Sequence, residues 1–209
     1  EQRHPHVRFV GVGGEVLTLT TLMQLRMAYP NADIVNLFGP TETTNESMIW
    51  VDDGGKAGPC IGRPIDNTVV YVVHPTTGSL CPPGVVGELW IGGAGVARGY
   101  HNRPELTAQR FVPNPYGPGR VYKTGDQVRW NDDGHLVFIG RIDHQVKIRG
   151  FRVELGEVEA AMVRCLETVS GSVVVARDQA LVAYVTPTDV DVEALRRIEQ
   201  REGGGCRKK

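Results

Sequence analysis

The sequence predicts a mixed α/β fold: a parallel βαβ unit, then a small β-barrel-like part, then a partial α+β unit. Three patterns support this. An apolar run entering a glycine turn and a second apolar run over residues 34–38 flank a segment of helical spacing, the order expected of a parallel βαβ crossover. Short β-forming runs separated by Pro and Gly turns then fill residues 54–125, as in small barrels. Beyond residue 143 the order becomes hairpin, helix, strand, strand, helix.

Element by element, residues 7–17 run from Val-Arg-Phe-Val into Gly-Val-Gly-Gly-Glu, a strand entering a turn. Residues 18–29 carry Leu19, Leu22, Met23, Leu25 and Met27, with Pro30-Asn31 as the stop. Residues 69–73, 87–91 and 121–122 read as short strands, and Pro104 suits the first turn of a helix over 104–111. Residues 134–141 read as another strand. Gln145-Val146-Lys147-Ile148-Arg149 alternates apolar and polar, Gly150 turns, and Phe151-Arg152-Val153-Glu154 alternates back, a hairpin pattern. A helix over 155–166, strands over 173–176 and 181–185 and a charged helix over 192–201 complete the reading. The expected domains are 1–142 and 143–201, with 202–209 a glycine-rich flexible tail: a linker, a cloning scar or the junction of an inserted domain.

Composition narrows the function. With 41% apolar residues and a formal charge of −1 the chain reads as a folded, soluble protein. Near-neutrality argues against a nucleic-acid partner, and the apolar runs are too short for a membrane span. The four cysteines, Cys60, Cys81, Cys165 and Cys206, form no CxxC, so zinc and a disulfide framework are not expected and a cytoplasmic location is. Residues 1–10 contain no apolar leader.

Two stretches carry the chemistry. In Asn36-Leu37-Phe38-Gly39-Pro40-Thr41-Glu42-Thr43-Thr44 a buried run breaks at Gly-Pro and ends in hydroxyls flanking a carboxylate. Thr41 can meet a phosphate oxygen and Glu42 a hard cation such as Mg²⁺. In Tyr122-Lys123-Thr124-Gly125-Asp126 a glycine turn presents Asp126, whose carboxylate can accept a ribose diol. Plainer readings exist for each: Glu42 as a helix cap, Asp126 as a turn residue, Arg141 and Lys147 as solvated charges, Phe38 and Phe138 as core aromatics.

Read together and in order, Gly13-Gly14-Glu15, residues 36–42, residues 87–100, residues 122–126 and residues 140–154 resemble the C-terminal half of a nonribosomal peptide synthetase adenylation domain. That family belongs to the adenylate-forming superfamily with acyl-CoA synthetases and luciferase, and the likeness spans residues 10–197. It implies the second part of the adenylate-forming large subdomain followed by a truncated mobile subdomain. The activity implied is ATP-dependent conversion of an amino acid to its aminoacyl-adenylate and transfer to the phosphopantetheine thiol of a carrier protein.

The same resemblance implies roles for individual residues. Phe38, where the family often has Tyr, and Phe138 would lie against adenine; Asn36 and Gly39 would border the base. Thr41 would contact phosphate, Glu42 Mg²⁺, Asp126 both ribose hydroxyls, and Arg141 ribose or phosphate oxygens. Thr41, Glu42 and Arg141 would thus be the catalytic group. Gly11, Gly13, Leu37, Asn45 and Glu46 would line the amino-acid pocket, favouring a polar or basic side chain. Asp143 would be a hinge, and Lys147, Arg149 and Gly150 would face the carrier arm. Partners implied are the amino acid, a peptidyl carrier protein, the upstream half of the domain and an MbtH-like protein. The glycine-rich phosphate loop and the closing lysine of the family are not among these residues, and Lys208 and Lys209 do not fit the latter, so the chain alone is expected to be inactive. Competing readings are an acyl- or aryl-CoA ligase fragment and a non-catalytic carrier- or partner-binding remnant.

Overall fold

The computed structural model describes residues 3–54, 58–143, 145–148, 150–165, 169–177 and 180–187. The expected helix over 192–201, the tail 202–209 and Arg149 lie outside them. The chain divides into two compact units, Glu1–Asp143 and His144–Lys209.

The first unit opens with the βαβ crossover. Strand β1 (Phe9–Gly13) pairs in parallel with β2 (Asp33–Phe38), Phe9 facing Asp33 and Gly13 facing Leu37. Helix α1 (Leu19–Ala28) between them is capped by Thr18, whose hydroxyl accepts from the Thr21 amide at 3.1 Å, satisfying an otherwise orphan donor. It ends two residues before Pro30, with the Tyr29 amide donating to the Leu25 carbonyl. Leu22 is fully buried with Leu17, Ile34, Trp50 and Cys60; enclosing one such leucine contributes about 1.5–3 kcal/mol. Strands β3 (Met48–Val51) and β4 (Arg63–Pro64) extend the sheet in the order β1-β2-β3-β4, both antiparallel to their neighbours.

The second sheet has five strands: β5 (Thr68–Val73), β6 (Gly87–Gly93), β7 (Phe111–Pro113), β8 (Arg120–Trp130) and β9 (Leu136–Arg141). Helix α2 (Pro104–Arg110), with Pro at its first turn, precedes β7. The fold is α/β as expected, but the barrel does not close among the described residues. One edge of β8 pairs with β6, and its other edge is shared by β7 near Tyr122 and β9 from Asp126 to Trp130. The end strands, β5 on one side and β7 and β9 on the other, do not pair with each other among the described residues, so the sheet stays open. The turn expected at Gly125-Asp126 is also corrected. Both residues lie inside β8, where Gly125 at φ 76° and a register shift against β6 make an irregular bulge. A glycine at positive φ lets the strand continue past the extra residue. Met48, Ile61, Val72, Leu89, Ile91, Val128 and Leu136 form the core shared by the two sheets.

In the second unit β10 (Gln145–Ile148) and β11 (Phe151–Glu154) form the expected hairpin, Ile148 facing Phe151 across Gly150 at φ 79°. Helix α3 (Leu155–Cys165) packs Leu155 and Met162 on Val174. Strands β12 (Gly171–Arg177) and β13 (Ala180–Thr186) pair antiparallel, and Glu159 accepts from the Val174 amide at 2.8 Å.

Candidate functional site

The loop after β2 reverses through Gly39-Pro40. A Cβ on Gly39 would lie 1.9 Å from the Asn45 carbonyl oxygen, so this fold-back admits only glycine. The Thr43 and Ser47 hydroxyls, 2.6 Å apart, and a Ser47 amide bond to the Phe38 carbonyl close the loop. Within it, the short 3-10 helix Thr41–Thr43 leaves Thr41 exposed and turns Glu42 inward to 7% exposure. Glu42 Oε1 accepts the hydroxyl protons of Tyr100 at 2.7 Å and Tyr122 at 2.9 Å. Burial, then hydrogen bonds with Tyr122 and Glu42, push the Tyr100 phenol far above its ordinary value, so it stays a proton donor across the physiological range. The Glu42 carbonyl accepts from the Ala97 amide at 2.9 Å.

A second cluster begins four residues beyond Tyr122 on the same strand. Asp126 Oδ1 accepts from Arg141 Nη1 at 2.6 Å, across the β8–β9 pairing that sets Asp126 opposite Arg141. The same guanidinium grips Asp143 with Nε and Nη2, each at 2.7 Å, and donates to the Thr124 carbonyl at 3.1 Å. Arg110, at the end of α2, reaches Asp143 Oδ2 at 3.5 Å. One fixed planar fork therefore spans two carboxylates, the geometry arginine serves best.

A depression of about 290 Å³ is lined by Gly11, Val12, Gly13, Gly14, Leu37, Gly39, Asn45 and Glu46. Asn45 Nδ2 donates to Glu46 Oε1 at 2.8 Å. Gly11, Gly13, Leu37, Asn45 and Glu46, singled out in the sequence, are thus brought together here. The parallel register carries Gly11 and Gly13 beside Val35 and Leu37, and the Gly39 reversal carries Asn45 and Glu46 back to them.

The remaining sequence-derived residues lie outside this depression. Asn36 is buried and spends its amide on the Cys60 carbonyl at 2.8 Å. Phe38 and Phe138 are half-buried against the shared core. Lys147 is exposed on β10 opposite Arg152, and Gly150 turns the hairpin. Sequence reasoning gave no role to Tyr100, Tyr122 or Arg110. Tyr100 and Tyr122 meet Glu42 across 58 and 80 residues of chain, and no local pattern signals such a pairing.

Cys60, 4% exposed beneath β3, has its thiol pushed up to about 11, chiefly by burial, against a Gly62 backbone hydrogen bond. The raised value means the folded chain holds the thiol proton more tightly than the unfolded one. The associated stability is complete below the unfolded value of about 8.5 and drains as pH rises through 11. Iodoacetamide at pH 8.5 is therefore expected to label Cys60 at least tenfold more slowly in the native chain than in urea, read by peptide mass spectrometry; equal rates would refute the burial.

Known proteins resemble this chain in sequence and in fold. Residues 1–101 match the family model described as AMP-binding enzyme. Those residues belong to that family of adenylate-forming enzymes. The chain's relatives place it further, as a partial adenylation domain of the nonribosomal peptide synthetase kind. The dimodular nonribosomal peptide synthase of Bacillus subtilis (strain 168) is 50% identical over 194 residues, 89% of this chain and 8% of that protein. A solved structure of holo-PA1221, described as a nonribosomal peptide synthetase protein with adenylation and PCP domains bound to a vinylsulfonamide inhibitor, superposes with TM-score 0.81 at 30% identity, covering 91% of this chain and 35% of that one. The Vibrio cholerae adenylation domain AlmE, solved with glycyl-adenosine-5'-phosphate, gives TM-score 0.81 at 29% identity, covering 91% and 38%. The chain thus spans less than half the length of each of these three relatives.

Proposed function

We propose that this chain supplies the nucleotide side of a site that activates an amino acid with ATP and then loads a carrier-protein thiol. The observation that carries the reading is strand β8. It bears both Tyr122, which holds Glu42, and Asp126, which receives Arg141, so the carboxylate corner and the ion cluster share one scaffold. A carboxylate attacking the α-phosphate of ATP gives an acyl-adenylate and pyrophosphate, and a thiol then displaces AMP. Such chemistry rests on positioning and charge neutralisation.

In this reading Asp126 accepts the ribose diol while Arg141, held on its two carboxylates, presents its charge to ribose or phosphate oxygens. Phe38 and Phe138 offer ring faces to adenine, Asn36 and Gly39 border the base, and Thr41 meets phosphate from its exposed position. The donor set suits Mg²⁺. Among the described residues no group of three or more His, Cys, Asp or Glu could cage a metal, and Mg²⁺ usually takes one or two carboxylates plus substrate phosphates, which Glu42 can provide. Bound there, Mg²⁺ would neutralise phosphate charge. The depression beside Asn45 and Glu46 takes the amino-acid side chain, a polar or basic one. Asp143 serves as the hinge, the β10–β11 hairpin with Lys147 and Gly150 meets the phosphopantetheine arm of a peptidyl carrier protein, and an MbtH-like protein is a candidate partner.

The test is amino-acid-dependent ATP–pyrophosphate exchange, run on these 209 residues and on the complete adenylation domain encoded with them. Exchange is expected only from the complete domain, because the phosphate loop and closing lysine are not among these residues. Absence of both exchange and adenylate, by mass spectrometry, in the complete domain would overturn the reading.

A further inference from the structure

We propose that Tyr100 and Tyr122 are positioning residues for the divalent cation: a two-phenol clasp that fixes the Glu42 carboxylate in the orientation needed to hold Mg²⁺. The proposal rests on the reading of Glu42 as the residue that holds Mg²⁺.

The geometry is specific. Both hydroxyls reach the same oxygen, Oε1, at 2.7 and 2.9 Å, and lie 3.3 Å from each other. Two donors converging on one oxygen fix both the side-chain rotation and the tilt of the carboxylate plane. A single bond would leave the plane free to swing. The phenols are themselves anchored. Phe111 packs edge-on against Tyr100 at 5.3 Å and tilted against Tyr122 at 5.0 Å between ring centres. The Tyr100 amide donates to the Thr107 hydroxyl at 2.9 Å, tying that residue to α2. Glu42, Tyr100 and Tyr122 come from three separate stretches of the first unit, joined also through the Ala97 amide on the Glu42 carbonyl and the Thr44 hydroxyl on the Gly95 carbonyl.

A purely structural reading of the clasp is weaker. Glu42 takes up space that an apolar side chain could fill, and a buried carboxylate is costly to dehydrate. Two phenol donors on one oxygen offset that cost and bias the carboxylate to act through its other side. Partners that orient a metal-holding side chain typically change metal affinity by about 10–100-fold when removed.

The experiment uses the complete adenylation domain and compares Tyr100→Phe, Tyr122→Phe and Glu42→Gln. It reads the Mg²⁺ concentration for half-maximal exchange and, independently of turnover, calorimetric binding of ATP with Mn²⁺ and with EDTA. Each Tyr→Phe change is expected to raise the metal requirement about tenfold and to weaken Mn²⁺–ATP binding alike, while ATP binding in EDTA holds. The result that overturns the clasp is an unchanged metal requirement, or a fall in EDTA binding as large as that with Mn²⁺, which would mark a structural role. If Glu42→Gln raises the metal requirement but neither phenol change does, the clasp fails and Glu42 keeps its role. If Glu42→Gln itself leaves the requirement unchanged, the underlying reading of Glu42 fails and the clasp falls with it. Tyr122 is 1% exposed; should its variant misfold, the half-buried Tyr100 decides the matter alone.

Discussion

Replacing Asp126 by Ala in the complete adenylation domain is expected to raise the KM for ATP by about 100-fold or more, with a smaller loss of fold stability. The two effects separate because of what surrounds the carboxylate. On the nucleotide side, two ribose hydroxyls would lose a charged acceptor, and hydrogen bonds to charged groups contribute about 1.5–3 kcal/mol each, which compounds to that factor or beyond. On the protein side, the change removes one bond of 2.6 Å to Arg141. Stripping a partner from a buried ion pair costs about 3–5 kcal/mol when it strands the other charge. Arg141 is not stranded here, since Asp143 still grips it twice and the Thr124 carbonyl once. A stability loss nearer 1–2 kcal/mol follows from the single hydrogen bond. Urea unfolding and exchange kinetics on the same preparations read the two numbers. A KM for ATP within twofold of wild type would show that Asp126 only braces Arg141.

What the sequence revealed follows from how local each signal is. The hairpin Gln145–Ile148 with Phe151–Glu154 was legible because one face is apolar and the other charged, and the start of α2 because Pro104 can sit only at the first turn of a helix. Strand β3 was missed. Its burial alternates, Met48 and Trp50 in and Ile49 and Val51 out, but all four residues are apolar, so the alternation leaves no trace in composition. Gly125-Asp126 read as a turn because glycine before aspartate usually is one; whether a positive-φ glycine ends a strand or bulges it depends on the neighbouring strands, which the local sequence does not display. The candidate site shows the same division. Glu42, Asp126 and Arg141 stood out through the motif resemblance, whereas the phenols on Glu42 and the Arg110 contact to Asp143 exist only once distant strands pair.

Gly125→Ala is the second change expected to have a large effect, and its size separates backbone strain from damage to the ion cluster. At φ 76° an alanine would pay the left-handed penalty, about 1–2 kcal/mol. Its Cβ would also stand 2.8 Å from Arg141 Nη2, closer than real contacts allow, and a tight 3.0 Å from Asp143 Oδ2, so the guanidinium must shift against Asp126 or Asp143. Gly84 supplies the control. It has φ 82°, and a Cβ there would meet nothing within 4 Å, so Gly84→Ala carries the strain alone. Both variants are expected to lose about 1–2 kcal/mol in urea unfolding from strain, with Gly125→Ala losing more. Only Gly125→Ala is expected to raise the KM for ATP, by about tenfold, because a displaced charge-assisted contact is worth about that factor. If the two variants unfold alike and share a wild-type KM, the Arg141 fork has slack that the distances around Gly125 do not show, and its placement cannot be what orients the nucleotide.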